Sequence, residues 1–160
     1  MKIINLTTNH VDEIIELAHT TWFHTYSSII SQEQIRYMLD LFYNASVLHS
    51  QLQESTHIFK AVESEGKLIA YMHLLPDTQD YKLSKLYVLP SFQGRGAGAL
   101  LMQEAYQLLK KSGVEKLTLN VNRFNPAFHF YVKHGFEVIH EVDIPLGDFY
   151  LNDYVMQKIL

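Results

Sequence analysis

No cysteine occurs in the 160 residues, which removes a disulfide framework, a thiolate nucleophile and any cysteine-ligated zinc. Basic residues are not in excess either. Thirteen Lys and Arg against seventeen Asp and Glu give a formal charge of −4 and a pI near 6.1, so there is no electrostatic footprint for nucleic acid. The nine histidines show neither HxxxH nor HExxH spacing, and no metal is expected. No apolar run approaches the roughly eighteen residues of a membrane span. The N-terminus, MKIINLTTNHVDEII, lacks the basic-then-apolar layout of a signal peptide. The expectation is therefore a cytoplasmic protein with no membrane partner. No G-x-x-x-x-G-K-[ST] is present, which excludes a P-loop.

What is present suits one globular domain over residues 1–160, with 48% apolar and 19% charged residues. Nine Phe, ten Tyr and one Trp supply aromatic surface for a core or a pocket. Lys2 to Leu6 reads as a first strand. Asn9 or Thr8 is expected to cap a helix that buries Val11, Ile14, Ile15, Ala18 and Trp22. Ser31 with Gln34 resembles a capping box before a stripe of Ile35, Met38, Leu39 and Phe42, and Val47, Leu48 and Leu52 form a shorter one. Phe23, His24, Tyr26, Tyr37 and Tyr43 on these helices are candidates for one wall of a substrate cleft. From His57 the texture changes to β-type runs. HIFKAVES and KLIAYMHLL join at Ser64-Glu65-Gly66, and Pro76 to Asp80 forms a turn before a strand from Tyr81 to Leu89. A helix, a strand from Glu115, a helix ending at Gly135 and two final strands around Pro145 to Asp148 complete the order. Hairpins mixed with strand–helix–strand crossovers imply an α/β fold with a mixed sheet.

The segment Leu86 to Gly113 carries the clearest chemistry. Pro90 ends an apolar strand. Gly94, Gly96 and Gly98 then place three of the seven glycines in five positions, ahead of a helix burying Leu101, Ala105 and Leu108. A glycine turn opening a helix offers backbone N–H groups at the positive end of the helix dipole, a setting suited to a diphosphate. Gly94-x-Gly96-x-x-Ala99 also satisfies the dinucleotide pattern G-x-G-x-x-G/A. That reading needs an acid at the end of the next strand, where Leu119-Asn120-Val121-Asn122-Arg123 supplies none. A turn without any ligand is the third alternative.

Leu86-Tyr87-Val88-x-Pro90-x-x-Gln93-Gly94-Arg95-Gly96-Ala97-Gly98 resembles the acyl-CoA signature Q/R-x-x-G-x-G/A of the GCN5-related N-acetyltransferases (GNAT). Asn125-Pro126-Ala127-Phe128-His129-Phe130-Tyr131-Val132-Lys133-His134-Gly135-Phe136 resembles that family's second block, one helix and one strand downstream. The resemblance implies a central, mostly antiparallel sheet of about seven strands, flanked by helices, with two central strands splayed apart. It implies that backbone groups of Leu86, Tyr87 and Val88 pair with the pantetheine arm of acetyl-CoA, a β-augmentation by cosubstrate. It further implies that amides from Gly94 to Ala99, flanked by Gln93 and Arg95, hold the diphosphate, that Asn125 reaches the cosubstrate, and that Tyr131 is the general acid toward sulfur. The reaction is attack of a primary amine on the thioester in a ternary complex, the acceptor being a small molecule such as a polyamine, or a protein N-terminus.

Two departures are visible. Asn125 lies six residues before the tyrosine where the family more often has seven, and Asn122 is a rival. Many relatives carry a glutamate at the position of Lys82, and a lysine is not an anionic base. A water chain, or a group such as His73, Asp80 or Glu141, is the alternative for the missing base, and none of them stands out. Residues Thr21 to Leu52 resemble the acceptor-side helices of polyamine and PaiA-like acetyltransferases, which bind polycations where carboxylates line the cleft. Glu33 and Asp40 are the candidates for those carboxylates. The absent glutamate also admits a CoA-binding sensor without transferase activity, and the final strands could pair in a homodimer.

Overall fold

The computed structural model describes all residues from Met1 to Leu160. Seven strands form one sheet: β1 (Lys2–Asn5), β2 (Ile58–Ser64), β3 (Lys67–Asp77), β4 (Asp80–Val88), β5 (Lys116–Asn122), β6 (Glu137–Leu146) and β7 (Phe149–Ile159), in the spatial order β1-β2-β3-β4-β5-β7-β6. Every neighbouring pair is antiparallel except β4 and β5, which run parallel over three residue pairs, Tyr81–Leu83 against Leu117–Leu119. The helices are α1 (Val11–Tyr26), α2 (Gln32–Phe42), α3 (Ala45–Gln53), α4 (Ala97–Lys111) and α5 (Ala127–Lys133). None is long and apolar enough to cross a membrane. The mixed sheet with one parallel crossover follows the expected α/β order.

Both faces of the centre are covered. Leu68 to Leu74 of β3 are buried without interruption, as expected of a strand with helices on either side. Tyr87 meets Tyr43 on the face of α1 to α3, whereas Val88 lies beneath Gly98 of α4 on the other. The buried α4 residues are Ala97, Leu101, Met102, Ala105 and Leu109, so the stripe lies one residue away from Leu108, which is half-buried.

Three local boundaries differ from expectation. Thr7, not Thr8 or Asn9, caps the first helical turn, because His10 Nδ1 accepts from the Thr7 N–H and closes a capping box. Strand β3 runs on through Pro76 and Asp77, so only Thr78-Gln79 turns. Likewise Pro145 and Leu146 remain in β6, and Gly147-Asp148 turns. In both cases cross-strand pairing extends the hairpin arms past a proline, since a proline at a strand end forfeits only one ladder bond. At Ser31 the expected cap forms, with the hydroxyl accepting from Gln34 N–H. The Gln34 side chain instead reaches β7, donating to Tyr150 O at 3.0 Å.

Candidate active site

The site begins with one extra residue. On β4, Lys85 faces His73 and Leu83 faces Leu74, which leaves Ser84 unpaired as a bulge. A bulge bends its strand and raises the local twist. Immediately beyond it, β4 parts from β5, and Ser84 to Val88 have no strand partner on that side. Leu89 N–H donates to Ile69 O. By the two-residue alternation of an antiparallel ladder, Tyr87 therefore turns its groups toward β3, while Leu86 and Val88 present theirs to the gap. The Val88 carbonyl accepts from Gln93 Nε2 at 3.2 Å, which ties the following turn to the strand end.

That turn is built by left-handed backbone. Gly94 and Gly96 have φ of 73° and 89°, and a Cβ at Gly96 would meet nothing within 4 Å, so conformation rather than space requires glycine there. Gly98 has a different reason. Its Cβ would stand 3.3 Å from Phe130 of α5, so the missing side chain lets α4 and α5 approach. The N–H groups from Gly94 through Ala99 donate to no acceptor in the protein; the first amide to do so is Leu100, to Gly96 O. Six consecutive free donors at the head of a fifteen-residue helix form an anion cradle, with the Arg95 guanidinium laid over Phe92 beside it.

On the face opposite α4, the gap opens into a cavity of about 320 Å³. The bulge resets the side-chain alternation of β4, so Lys82, Ser84, Lys85 and Tyr87 all line it. Helices α1 and α2 contribute Trp22, Tyr26, Gln34, Met38 and Phe42, with Tyr43 just beyond α2; β5 contributes Asn120 and Asn122, and β7 Tyr150, Leu151 and Asp153. Tyr43 and Tyr87 share a hydrogen bond of 2.7 Å. Burial pushes both phenols well above their ordinary range, so both are neutral. Asp153 is the only carboxylate in the lining. Burial raises its pKa, partly opposed by the Asn120 amide at 3.5 Å and by the charges of Lys82 and Arg123. Lys85 is 7% exposed, and burial lowers its pKa to about 8. Its ammonium lies 4.4 Å from the Tyr43 ring centroid.

The other sequence candidates fall as follows. Tyr131, on α5, is buried, and its hydroxyl makes no hydrogen bond in the protein; burial, then the neighbouring Tyr26, hold it protonated far above neutrality. It does not line the cavity but adjoins Tyr26, which does. Both polar ends of the Asn125 side chain serve the fold: Nδ2 donates to Tyr26 Oη at 3.1 Å and Oδ1 accepts from Ala127 N–H, so its amide positions Tyr26 and starts α5. Asn122, its rival, reaches the cavity wall. Glu33 and Asp40 point to solvent, and the carboxylate of the cleft is Asp153 instead. Of the aromatic candidates, Tyr26 and Tyr43 line the cavity while Phe23, His24 and Tyr37 do not.

None of the three substitutes for the missing base enters the cavity. Asp80 accepts from Lys116 N–H and Glu141 pairs with Arg123 at 3.4 Å. His73 is wholly buried, stacked on Phe59 with centroids 3.9 Å apart and bonded through Nε2 to His57 Nδ1. Burial, then the Lys85 charge and His57, lower its pKa to about 2 from the usual 6.5. The unfolded chain therefore takes up a proton near pH 6.5 that the folded chain refuses. Its contribution is complete above that pH and is lost as pH falls from 6.5 toward about 2. The expected loss between pH 7 and 5 is about 2 kcal/mol for one such group. His73→Phe should remove that increment, seen as a smaller difference between urea midpoints at the two pH values. An equal difference in both proteins would exclude His73 as its source.

Comparison with known proteins agrees with this arrangement. Residues 11–136 match the Acetyltransferase (GNAT) family. An uncharacterised N-acetyltransferase of Mycobacterium tuberculosis is 30% identical over 151 residues, covering 93% of this chain and 97% of the relative. The spermidine N(1)-acetyltransferase of Thermoplasma acidophilum is 28% identical over 163 residues, covering 99% and 96%. The crystal structure of the PaiA N-acetyltransferase from T. acidophilum in complex with coenzyme A superposes with a TM-score of 0.89, at 28% identity, over 99% of this chain and 98% of that one. With a splayed strand pair, a glycine-headed helix and a family match across most of its length, the chain belongs to the GNAT family and is an acyl-CoA-dependent N-acetyltransferase.

Proposed function

We propose that the protein transfers acetyl from acetyl-CoA to a primary amine by direct attack in a ternary complex. The observation that carries this is the position of the gap between β4 and β5. Its edge meets the free amides of Gly94 to Ala99 at one end and opens on the Asp153 cavity on one face. In this reading the six amides, with Arg95, hold the diphosphate, and Leu86 and Val88 pair with the pantetheine arm. An N–H on that strand edge polarises the thioester carbonyl. Gln93 secures the turn and Gly98 sets the helix approach. Asn125 acts by placing Tyr26.

The chemistry balances with three proton movements: two leave the nitrogen and one reaches the sulfur. An alkylammonium with a pKa of about 10 must lose a proton before its lone pair is free. Asp153, the sole carboxylate of the cavity, holds that ammonium and takes the proton. Nitrogen attacks the carbonyl carbon, the C–S bond breaks with its electron pair on sulfur, and Tyr131 protonates the sulfur. The second proton of the attacking nitrogen leaves as the amide forms and, relayed by solvent, restores Tyr131, while Asp153 returns its proton to solvent; the products are an N-acetyl amide, CoA thiol and one released proton.

The test is thiol release from acetyl-CoA across a panel of primary amines, with spermidine included because the Thermoplasma relative bears that activity. Amine-dependent release is expected, and Asp153→Asn should lower kcat by tenfold or more. Tight CoA binding with no release from any amine would instead support the sensor reading.

A further inference from the structure

Three charged side chains in the cavity form no ion pair within the protein, although the Lys82 charge is felt at Asp153. Asp153 is 8% exposed and Lys85 7%, and neither joins any of the four ion pairs of the fold; Lys82 joins none either. The Lys85 ammonium reaches only neutral oxygens, Phe42 O at 3.4 Å and Gln51 Oε1 at 3.5 Å, besides the Tyr43 ring. The Asp153 carboxylate accepts only from Asn120 Nδ2 at 3.5 Å. Arg123, the other cation near Asp153, directs its guanidinium to Glu141 and Asp143. A buried charge without a partner is strongly unfavourable. Here charges of both signs are held open in one cavity of small-ligand size.

We propose that the acceptor is an amino acid or short peptide, whose ammonium docks at Asp153 and whose carboxylate docks at Lys82 and Lys85. This rests on the transferase reading above and adds the class of acceptor to it. Strands β4 and β7 are separated by β5, and Asp153 lies opposite Asn122 whereas Lys82 lies opposite Thr118, so the two charged walls are more than two strand spacings, or more than about 10 Å, apart at the backbone. The lysine side chains reach back across part of that span into the cavity that all three residues line. Met38, Phe42 and Trp22 supply an apolar wall for the intervening carbons. A polyamine fits poorly. It carries only positive charge and would face two lysines across from a single carboxylate. The lysine at position 82 thus ceases to be a failed base and becomes a reader of the acceptor's acid group.

The test measures kcat/KM by thiol release for the full chain with the common amino acids, 4-aminobutyrate, glycylglycine and spermidine. Every reactive amino acid or peptide is paired with its carboxamide, which keeps the amine and removes the negative charge. At least one carboxylate should exceed both its amide and spermidine by tenfold or more, the size expected for a hydrogen bond to a charged group. Lys82→Met and Lys85→Met should bring the carboxylate-to-amide ratio close to one. CoA binding by each variant checks that it is folded; if Lys85→Met fails to fold, the more exposed Lys82→Met carries the comparison. Free amino acids and the dipeptide are distinguished by which arm responds. Amides as good as their acids, or spermidine as the best acceptor, would overturn the inference while leaving the transferase reading intact. No release from any amine would overturn both.

Discussion

Tyr131→Phe should reduce kcat by about a hundredfold or more while leaving acetyl-CoA affinity within about twofold. The size follows from the ordinary contribution of a placed general acid, roughly 10²–10⁴ in rate. The selectivity follows from the structure. The Tyr131 hydroxyl bonds to nothing in the protein, so its loss breaks no internal hydrogen bond, and the ring can keep its contacts with Phe130 and Phe136. Burial holds the phenol above its usual pKa of about 10, so it enters every turnover protonated. The variant should therefore melt close to wild type and bind CoA normally, yet release thiol slowly. An unchanged kcat, under conditions where a solvent isotope effect shows chemistry to be limiting, removes Tyr131 from the mechanism.

Gly96→Glu should weaken acetyl-CoA binding by roughly a hundredfold, and Gly96→Ala by much less. Two effects act at this position and the pair of variants separates them. At φ 89° any side chain is strained, by about 1–2 kcal/mol, and both variants share that cost. Only the glutamate adds a negative charge beside the six free amides. Two unit charges about 5 Å apart interact by about 3 kcal/mol at an effective dielectric near 20. Because nothing lies within 4 Å of the position, crowding inside the protein does not confuse the comparison. Titration of CoA into each protein provides the measurement. Equal affinities for the alanine and glutamate variants would place the diphosphate elsewhere.

These two predictions concern residues that local sequence displays well. Glycines at 94 and 96 before an apolar helix determine a turn whatever surrounds them, because positive φ and a capless helix start are properties of a few consecutive residues. The same holds for the order of strands and helices, which follows from the periodicity of apolar residues. The hairpin at Glu65-Gly66, both with positive φ, is equally local. Tyr131 is singled out by its block of neighbours, and its role rests on the variant above.

The acceptor side was not legible in this way. Asp153 lies far along the chain from Lys82, and only the placement of β7 beside β5 brings both to one cavity. The resemblance of Thr21 to Leu52 to acceptor-side helices singles out Glu33 and Asp40, but a helix's own sequence does not say which polar face turns to water. Nor does the sequence show that the Asn125 amide bonds to Tyr26, ninety-nine residues away.

Strand β4 and the turn after it show the clearest division. By itself the sequence determined an apolar strand, a proline stop and a glycine turn, because each is encoded within hydrogen-bonding distance along the chain. Tertiary structure alone decided that Ser84 is extruded from the ladder, that β4 leaves β5 beyond Leu83, and that Lys82 and Lys85 consequently face the same space as Asp153. The physical reason is that register is a relation between strands: one unpaired residue reverses which side chains face the cavity, and no single strand's sequence specifies its partner's alignment.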